Sequence, residues 1–303
     1  MEESNVLVRL KGDINLRVMS EIEFESYRPY TDSQMWIGDE PLEGKSVLVY
    51  CEQGNGDSIQ FFRYLPKLKE LDCKVTVHCN KDLHAILPYI DGVDSWLNKT
   101  CHDLPDHDFH VLLLDLPFLL LKRRPKIQLW WAGKSQESYM PEILKNIPSA
   151  PYINYQETED LETEGLKIGI AWEGSPFNPY NEVRSCPVRH FQALPGSLFM
   201  LQRDLYNLGL IEGWTGTILG IEMNDYKDTM RLINSVDLVV TVDTSILHLA
   251  GALGKRTFGL LAQDHDRRWG EENTTPWYPS VNLFRKKTDW EEVFQSILKI
   301  LPK

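Results

Sequence analysis

The segment at residues 237–269 constrains the fold of this chain more than any other. It begins with an apolar, β-branched run at 238–242, continues with an amphipathic pattern at 245–253 and ends with a second apolar run at 257–261. This pattern predicts a strand, a helix and a second strand, and strands joined through a helix lie parallel in one sheet. We therefore expect an α/β fold with a parallel sheet.

The residues between the first strand and the helix of this segment indicate a ligand site. Asp243 and Thr244 follow the strand, and Ser245 begins the helix. An acid, two hydroxyls and the unpaired N–H groups of a helix N-terminus are thus expected at the carboxyl edge of the sheet, where open α/β sheets bind ligands. Because helix N-termini favour anions, the first hypothesis is a phosphate-bearing small molecule. His248, one turn into the helix, fits either a packed core residue or a member of this site.

Size, charge and cysteine content narrow the class of protein. A chain of 303 residues suits two domains. The net charge of −12 argues against broad nonspecific binding of nucleic acid, although the basic run at 122–126 could hold an anionic acceptor or form a solvated turn. Five cysteines without a Cys-x-x-Cys pair favour a reducing compartment, with no disulfide framework and no zinc site.

The sequence carries no evident targeting or membrane signal. The N-terminus is acidic and lacks the apolar core of a signal peptide. The most apolar stretch, 111–121, contains Asp115 and Pro117 and has about half the length that a bilayer requires. We expect a cytoplasmic protein without stable membrane insertion.

Strand and helix patterns alternate from Ser46 onward. In the first half the predicted strands are 46–51, 73–79, 109–115 and 127–131, and the predicted helices are 58–71 and 83–90. Residues 1–44 are polar and are expected to be irregular, with Trp36 and Pro41 anchored on a later core. The β-α-β-α-β order predicts one doubly wound, Rossmann-like half.

An acidic, proline-containing stretch at 148–165 has no apolar period and is the best candidate for a linker. After it the alternation resumes, with strands at 166–172 and near 217–221, a helix at 226–236, the segment at 237–269 and a final helix at 289–301. That final helix could pack back across the domain junction. We predict two Rossmann-like domains, residues 1–160 and 161–303, that face a cleft.

The junction after the first predicted strand is rich in glycine. Gly54 and Gly56 permit a tight turn and close approach to a ligand, and Asp57 follows them. The dinucleotide fingerprint is not met, because no third glycine follows in register. Asp57 is either the N-cap of the next helix or a carboxylate placed to take a proton from an acceptor hydroxyl. Gln53, Gly54 and Gly56 are candidates for the acceptor side of the cleft.

The matching junction of the second half, residues 171–187, is long, polar and rich in Asn, Pro and Gly, as is typical of a binding loop. Arg184 is either a surface residue or the partner of a diphosphate, which the geometry of a guanidinium suits. Ser175, in the same loop, is a second candidate for binding the donor.

Two segments rich in Asp and His, at 102–110 and 264–269, invite a metal interpretation. The spacing in the first suits a solvated loop before a strand. The second contains an Asp-x-Asp pair, but Arg267 and Arg268 adjoin it. Because these cations would compete with a metal ion, we predict a metal-free site in which arginines neutralise charge, with Arg268 in the cleft.

Seven motifs resemble those of bacterial and phage glycosyltransferases of the heptosyltransferase-like group, especially the catalytic part often found behind tetratricopeptide repeats. They occur in family order at 35–45, 51–66, 138–153, 167–176, 184–188, 242–255 and 267–285. The resemblance implies the GT-B fold, in which the C-terminal half binds a nucleotide-sugar and the N-terminal half presents the acceptor. It also implies that no metal or other cofactor is needed.

The same resemblance implies roles for individual residues. Asp57 corresponds to the general base of the heptosyltransferases, and Asp243, Thr244 and His248 correspond to residues that contact the donor phosphate and sugar. The family has a lysine in the loop after the first C-terminal strand. This chain has no lysine in that loop, so the role is assigned to Arg184.

These features together predict a metal-independent, inverting glycosyltransferase. Its acceptor could be a polysaccharide, a protein or a hydroxymethylated base of phage DNA, and the sequence does not specify the sugar or the nucleotide. Two alternatives stay open. A nucleotide-sugar epimerase of the same fold would convert the donor without a second substrate, and a catalytically silent binding protein would turn nothing over.

Overall fold

The computed structural model describes residues 33–101, 103–121, 140–176, 178, 180–202 and 223–302. The chain divides into two units. The first comprises Met1–Pro148 together with Asp266–Gly270, and the second comprises Ser149–His265 and Glu271–Lys303. Within these described ranges, each unit contains a five-stranded parallel sheet. The change of unit after Pro148 falls at the start of the acidic, proline-containing stretch.

The strand order in the sheet of the first unit reverses at one place, which is a potential binding site. Its strands are β1 (Gln34–Met35), β2 (Ser46–Tyr50), β3 (Lys74–Cys79), β4 (Ser95–Asn98) and β5 (Phe109–Leu112), in the spatial order β1-β5-β2-β3-β4. The order of connection reverses between β2 and β5, and open α/β sheets bind ligands at the carboxyl ends of such a pair. Three predicted strands are confirmed, and the one predicted at 127–131 lies outside the described residues.

Prolines interrupt the helices of the first unit. These helices are α1 (Asn55–Phe61), α2 (Leu65–Lys69), α3 (Leu116–Leu120) and α4 (Met140–Lys145). The continuous helix predicted at 58–71 is wrong, because a 3-10 turn, Phe62–Tyr64, separates α1 from α2 and Pro66 lies in the first turn of α2. The helix predicted at 83–90 is instead two 3-10 turns, with Pro88 in the second. Proline lacks the N–H that a continuous helix requires.

The sequence pattern misses both edge strands of this sheet. β1 lies in the part expected to be irregular and pairs with the start of β5, and β4 has only four residues. Trp36 is buried, as predicted, and its Nε1 donates to the carbonyl of Glu40 at 3.0 Å. Pro41 is exposed, and its neighbour Leu42 is buried in its place.

The second sheet repeats this arrangement. Its strands are β6 (Lys167–Ala171), β7 (Ser197–Met200), β8 (Leu238–Val242), β9 (Thr257–Leu261) and β10 (Val281–Arg285), in the spatial order β10-β9-β8-β6-β7. The order of connection reverses between β6 and β8. The predicted strands β6, β8 and β9 are confirmed, whereas β7 and β10 are missed, and the strand predicted near 217–221 lies outside the described residues.

The helices of the second unit include the final helix of the chain. They are α5 (Asn181–Arg184), α6 (Tyr226–Ser235), α7 (Ser245–Ala252) and α8 (Trp290–Leu298), with a 3-10 helix at Val188–Ala193. The apolar side chains of α8, among them Trp290 and Phe294, pack into the core formed by β6, β8 and β9. The suggestion that this helix packs across the domain junction is therefore wrong, because its apolar side chains pack within its own unit. Among the described residues, no helix combines the length and apolarity needed to cross a membrane.

Candidate active site

The junction after β2 brings the first candidate carboxylate to the carboxyl edge of its sheet. Gly54 is the N-cap of α1 and has an extended backbone, and no side-chain capping bond forms there. Asp57 is the third residue of the helix, so the N-cap interpretation of Asp57 is wrong. Its Oδ2 turns back toward Gly54, where a Cβ would lie 3.4 Å away. Gly56 is the second helical residue, and Gln53 lies partly exposed in the bend before the helix.

Arg268 holds the carboxylate of Asp57. Its Nη1 donates to Oδ1 of Asp57 at 2.7 Å and to Oε1 of the buried Gln60, also at 2.7 Å. Its Nη2 donates to Oδ2 of Asp266 at 3.0 Å. The side chain of Arg268 is only 9% exposed, and a charge-assisted hydrogen bond in such a setting is short and strong. The short segment Asp266–Gly270, which belongs to the first unit, thus supplies the partner of Asp57.

A second pair of acids at the same sheet edge is missed by the sequence analysis. Glu52 follows β2, and Asp115 ends a 3-10 turn, Leu113–Asp115, that follows β5. Oε1 of Glu52 accepts a hydrogen bond from the backbone N–H of Leu114 at 3.2 Å, which ties the two strand ends together. Burial, and then the nearby charge of Asp115, raise the pKa of Glu52 to about 8. Burial raises the pKa of Asp115 to about 7.

The raised pKa of Glu52 favours its protonated form at neutral pH, since burial and a neighbouring negative charge both disfavour ionisation. The sequence contains a signal for this pair. Asp115 interrupts the most apolar stretch of the chain, and Glu52 lies two residues before Gly54. An acid in an apolar run at a strand end is a candidate for a perturbed group.

In the second unit, the junction after β8 is built as the sequence predicts. Thr244 is the N-cap of α7, and its Oγ1 accepts the backbone N–H of Ile246 at 3.2 Å. Thr244 is buried, whereas Asp243 and Ser245 are partly exposed at the carboxyl edge. The helix begins at Ser245, so its first N–H groups point toward that edge.

His248 is buried on α7 between two polar partners. Its Nδ1 lies 3.0 Å from the hydroxyl of Tyr278, and its Nε2 lies 3.9 Å from Oδ1 of Asp243. Tyr278, which is fully buried in the loop between β9 and β10, has no role in the sequence analysis. His248 is packed in the core, as one interpretation predicts, and its Nε2 lies on the side of Asp243. Its membership of a donor site stays a prediction.

The loop after β6 carries Arg184 next to the same sheet edge, because β6 and β8 are neighbours. Oδ1 of Asn181 accepts the backbone N–H of Gly174 at 2.8 Å, which fastens the one-turn helix α5 to the start of the loop. The guanidinium of Arg184 occupies the space that a side chain on Gly174 would fill, and a Cβ there would lie 2.8 Å from Cζ of Arg184. Ser175 is exposed, and its carbonyl accepts from Asn178 N at 3.0 Å.

Glu173, between β6 and Gly174, is a further acid that the sequence analysis does not single out. Burial raises its pKa. The buried side chain of Gln202 holds its backbone by two hydrogen bonds. The backbone N–H of Glu173 donates to Oε1 of Gln202 at 3.4 Å, and Nε2 of Gln202 donates to the carbonyl of Glu173 at 3.1 Å. The loop after β6 is thus anchored to the end of β7.

The two aspartates of the Asp-x-Asp sequence differ in exposure and in hydrogen bonding. Asp264 is exposed, and Asp266 is bonded to Arg268. In the described part of the chain, no group of three His, Cys, Asp or Glu side chains could hold a metal ion. The basic run at 122–126 lies outside the described residues.

The C-terminal part of the chain is similar to a known protein family. Residues 222–300 match the family described as glycosyltransferase family 9 (heptosyltransferase). The match covers only this C-terminal stretch of the chain. It is also similar to the protein FlbA of Caulobacter vibrioides, with 25% identity over 283 residues, which cover 82% of this chain and 44% of FlbA. The chain thus spans less than half of the curated relative that it matches.

Solved structures show the same fold over most of the chain. The glycosyltransferase family 9 protein of Veillonella parvula is 14% identical, with a TM-score of 0.55, and the match covers 88% of this chain and 92% of that one. The ADP-heptose lipopolysaccharide heptosyltransferase II of Escherichia coli is 15% identical, with a TM-score of 0.55 and coverages of 84% and 96%. The predicted GT-B fold class and the heptosyltransferase-like resemblance are confirmed.

A third structure was determined with a nucleotide-sugar. It is the iron-containing heptosyltransferase TibC of enterotoxigenic E. coli in complex with ADP-D-beta-D-heptose. That structure is 11% identical to this chain, with a TM-score of 0.53, and the match covers 83% of this chain and 66% of TibC. The comparisons lend no support to the epimerase or to the silent binding protein.

Proposed function

We propose that the protein is an inverting, metal-independent glycosyltransferase that moves a sugar from a nucleotide-sugar to an acceptor hydroxyl. The observation that carries the proposal is the carboxylate of Asp57, oriented by Arg268 at the carboxyl edge of the first sheet. The similarity of residues 222–300 to glycosyltransferase family 9 (heptosyltransferase) supports the donor class.

Asp57 acts as the general base. Its Oδ1 accepts the bond from Arg268, and among the described contacts its Oδ2 takes no hydrogen bond, so Oδ2 is the atom that receives the proton of the acceptor hydroxyl. The acceptor oxygen then forms a bond to the anomeric carbon of the donor sugar while the bond from that carbon to the diphosphate oxygen breaks. Attack from the face opposite the leaving group inverts the anomeric centre. A positioned base contributes about 10²–10⁴ in rate.

The second unit binds the donor and stabilises the leaving diphosphate. Arg184 supplies a guanidinium, whose planar fork suits phosphate oxygens. The N-terminus of α7, after Thr244, offers backbone N–H groups and the positive end of the helix dipole. Asp243 and His248 lie at the same edge and face the sugar. This fixed positive charge performs the electrostatic task that a metal ion performs in other transferases.

A thermal-shift screen against nucleotides and nucleotide-sugars tests the proposal first. A ligand that binds the native protein raises its melting temperature, so the screen identifies the donor. ADP-heptose is the first compound to include, because the TibC structure of the same fold contains it. Incubation of the stabilising donor with candidate acceptors, followed by mass spectrometry, should detect a product heavier by one sugar. A protein that no nucleotide or nucleotide-sugar stabilises would contradict the proposal.

A further inference from the structure

Tyr278 and His248 form a buried contact between two segments of the second unit. The hydroxyl of Tyr278 lies 3.0 Å from Nδ1 of His248, and the two residues are 30 positions apart. They are 0% and 4% exposed. We propose that Tyr278 is a positioning residue of the donor site, whose hydroxyl donates to Nδ1 of His248 and keeps the ring proton on Nε2, beside Asp243. The effect on binding of the donor sugar rests on the proposed function, whereas the position of the His248 ring proton does not.

The surroundings of the ring select this tautomer. A neutral imidazole has one donor nitrogen and one acceptor nitrogen. If Nε2 were the acceptor, its lone pair would face the carboxylate of Asp243, 3.9 Å away. If Nε2 carries the proton, its N–H faces negative charge, and Nδ1 is left to accept the phenol proton of Tyr278. Of the two neutral forms, the second is the one in which the N–H at Nε2 faces the carboxylate while Nδ1 accepts from Tyr278.

Helix α7 itself holds Tyr278 in place. The phenol ring packs against Gly251, where a Cβ would lie 2.9 Å from Cδ2 of the ring. The ring is also edge-on to His248, with centroids 5.8 Å apart and an interplanar angle of 67°. Because Gly251 lies three residues after His248 on the same helix, the hydroxyl and the imidazole share one rigid support. A tyrosine so enclosed loses little entropy in making its bond.

The distance between His248 and Asp243 indicates what this arrangement recognises. A separation of 3.9 Å between Nε2 and Oδ1 is too long for a direct hydrogen bond. A hydroxyl between them would accept from the N–H of His248 and donate to the carboxylate of Asp243, because a hydroxyl can do both. The chemical class of ligand group is therefore a hydroxyl of the donor sugar, and Tyr278 is what makes His248 a donor toward it.

Nitrogen NMR of the ligand-free protein tests the tautomer directly. In the wild type we expect the His248 signals of a ring protonated at Nε2. Tyr278→Phe keeps the ring that packs against Gly251 and removes only the hydroxyl, so the His248 signals should move toward a mixture of tautomers. Tyr155→Phe is the matched control, since Tyr155 is a buried tyrosine of the same unit whose hydroxyl bonds to Glu157 instead. It should leave the His248 signals unchanged.

Either of two results would overturn the inference. One is a wild-type ring protonated at Nδ1, a measurement that needs no variant and so stands even if Tyr278→Phe fails to fold. The other is a folded Tyr278→Phe protein with the wild-type His248 signals.

Calorimetry with ADP-heptose and with ADP tests the consequence for the donor. Tyr278→Phe should weaken binding of ADP-heptose about tenfold and leave that of ADP unchanged, because only the sugar meets His248. Equal losses for both ligands would overturn the sugar-side role. A wild type that binds neither ligand, but has the expected tautomer, would count against the proposed function and not against the role of Tyr278 toward His248.

Discussion

Arg268 and Asp57 are joined by a hydrogen bond of 2.7 Å across 211 positions of the sequence. The same guanidinium nitrogen reaches Gln60, one turn further along α1, and the other reaches Asp266. The orientation of the Asp57 carboxylate is therefore set by an arginine from a distant segment, and the capping of its own helix plays no part. The general-base role proposed for Asp57 requires one oxygen held in a fixed direction, and this contact would provide that constraint.

Asp57→Asn should lower the rate of transfer by about 10²–10⁴ and leave donor affinity close to that of the wild type. The amide has the same shape and still accepts from Arg268 through its oxygen, but it cannot take up a proton at neutral pH. Turnover and donor binding should be measured separately, by product formation and by calorimetry. Asp82→Asn, which changes an exposed aspartate of the same unit, is the control. Wild-type turnover in Asp57→Asn would remove Asp57 from the mechanism.

Arg268→Lys should lower turnover by about tenfold or more, although the positive charge is retained. A lysine has a single ammonium in place of a planar fork, so it cannot bond to Asp57, Gln60 and Asp266 at once. Thermal melting should show a modest loss of stability, on the order of 1–2 kcal/mol, for the unmade bonds. Arg189→Lys, at an exposed arginine, controls for the change of side chain. Full activity of Arg268→Lys would show that charge alone suffices.

Glu52→Gln should change how the free energy of unfolding depends on pH. The folded-state pKa of Glu52 is raised to about 8 from an ordinary value of 4.5. Between these values the folded protein binds more protons than the unfolded chain, so the free energy of unfolding falls as pH rises through this window. Glutamine keeps an oxygen for the N–H of Leu114 and has no proton to lose. The variant should show a shallower decline and be more stable at about pH 8, by on the order of 1–3 kcal/mol.

Urea denaturation at several pH values from about 5 to 9 measures this dependence. Glu43→Gln, at an exposed glutamate of the same unit, should reproduce the wild-type curve. Parallel curves for the wild type and Glu52→Gln would mean that Glu52 is ionised throughout. Asp115→Asn should also flatten the curve, because it removes the like charge that helps to raise the pKa of Glu52.

The elements that sequence predicts well are those whose signals are local. The strand Leu238–Val242, the helix that follows and the strand Thr257–Leu261 are found within one or two residues of their predicted bounds. Thr244 starts the helix through its own hydroxyl, and Gly254 ends it in the left-handed region, with φ at 73°. Each of these causes can be read from the residues of the segment itself.

The parts that sequence misses depend on partners far away in the chain. Tyr278 reaches His248, Arg268 reaches Asp57, and Glu52 bonds to the turn after β5. No periodicity or spacing specifies such pairs, because each is created by the packing of separate segments. β4 is missed for a related reason, since a strand of four residues is stabilised by pairing with β3 and carries too little pattern of its own.

Gly174→Ala and Arg184→Ala should weaken the binding of ADP by a similar factor, for one physical reason. The backbone of Gly174 does not need glycine's left-handed conformation, so the effect of alanine is steric, and its Cβ would collide with the guanidinium of Arg184. Displacing or deleting that guanidinium removes a charge-assisted contact worth about 1.5–3 kcal/mol, or roughly a 10- to 150-fold loss of affinity.

Adenosine, which has no phosphate, should lose little affinity in either variant. Calorimetry with ADP and adenosine decides the matter, with Arg189→Ala as the control for loss of an exposed arginine. Equal losses for the two ligands would place Arg184 on the nucleoside and not on the diphosphate.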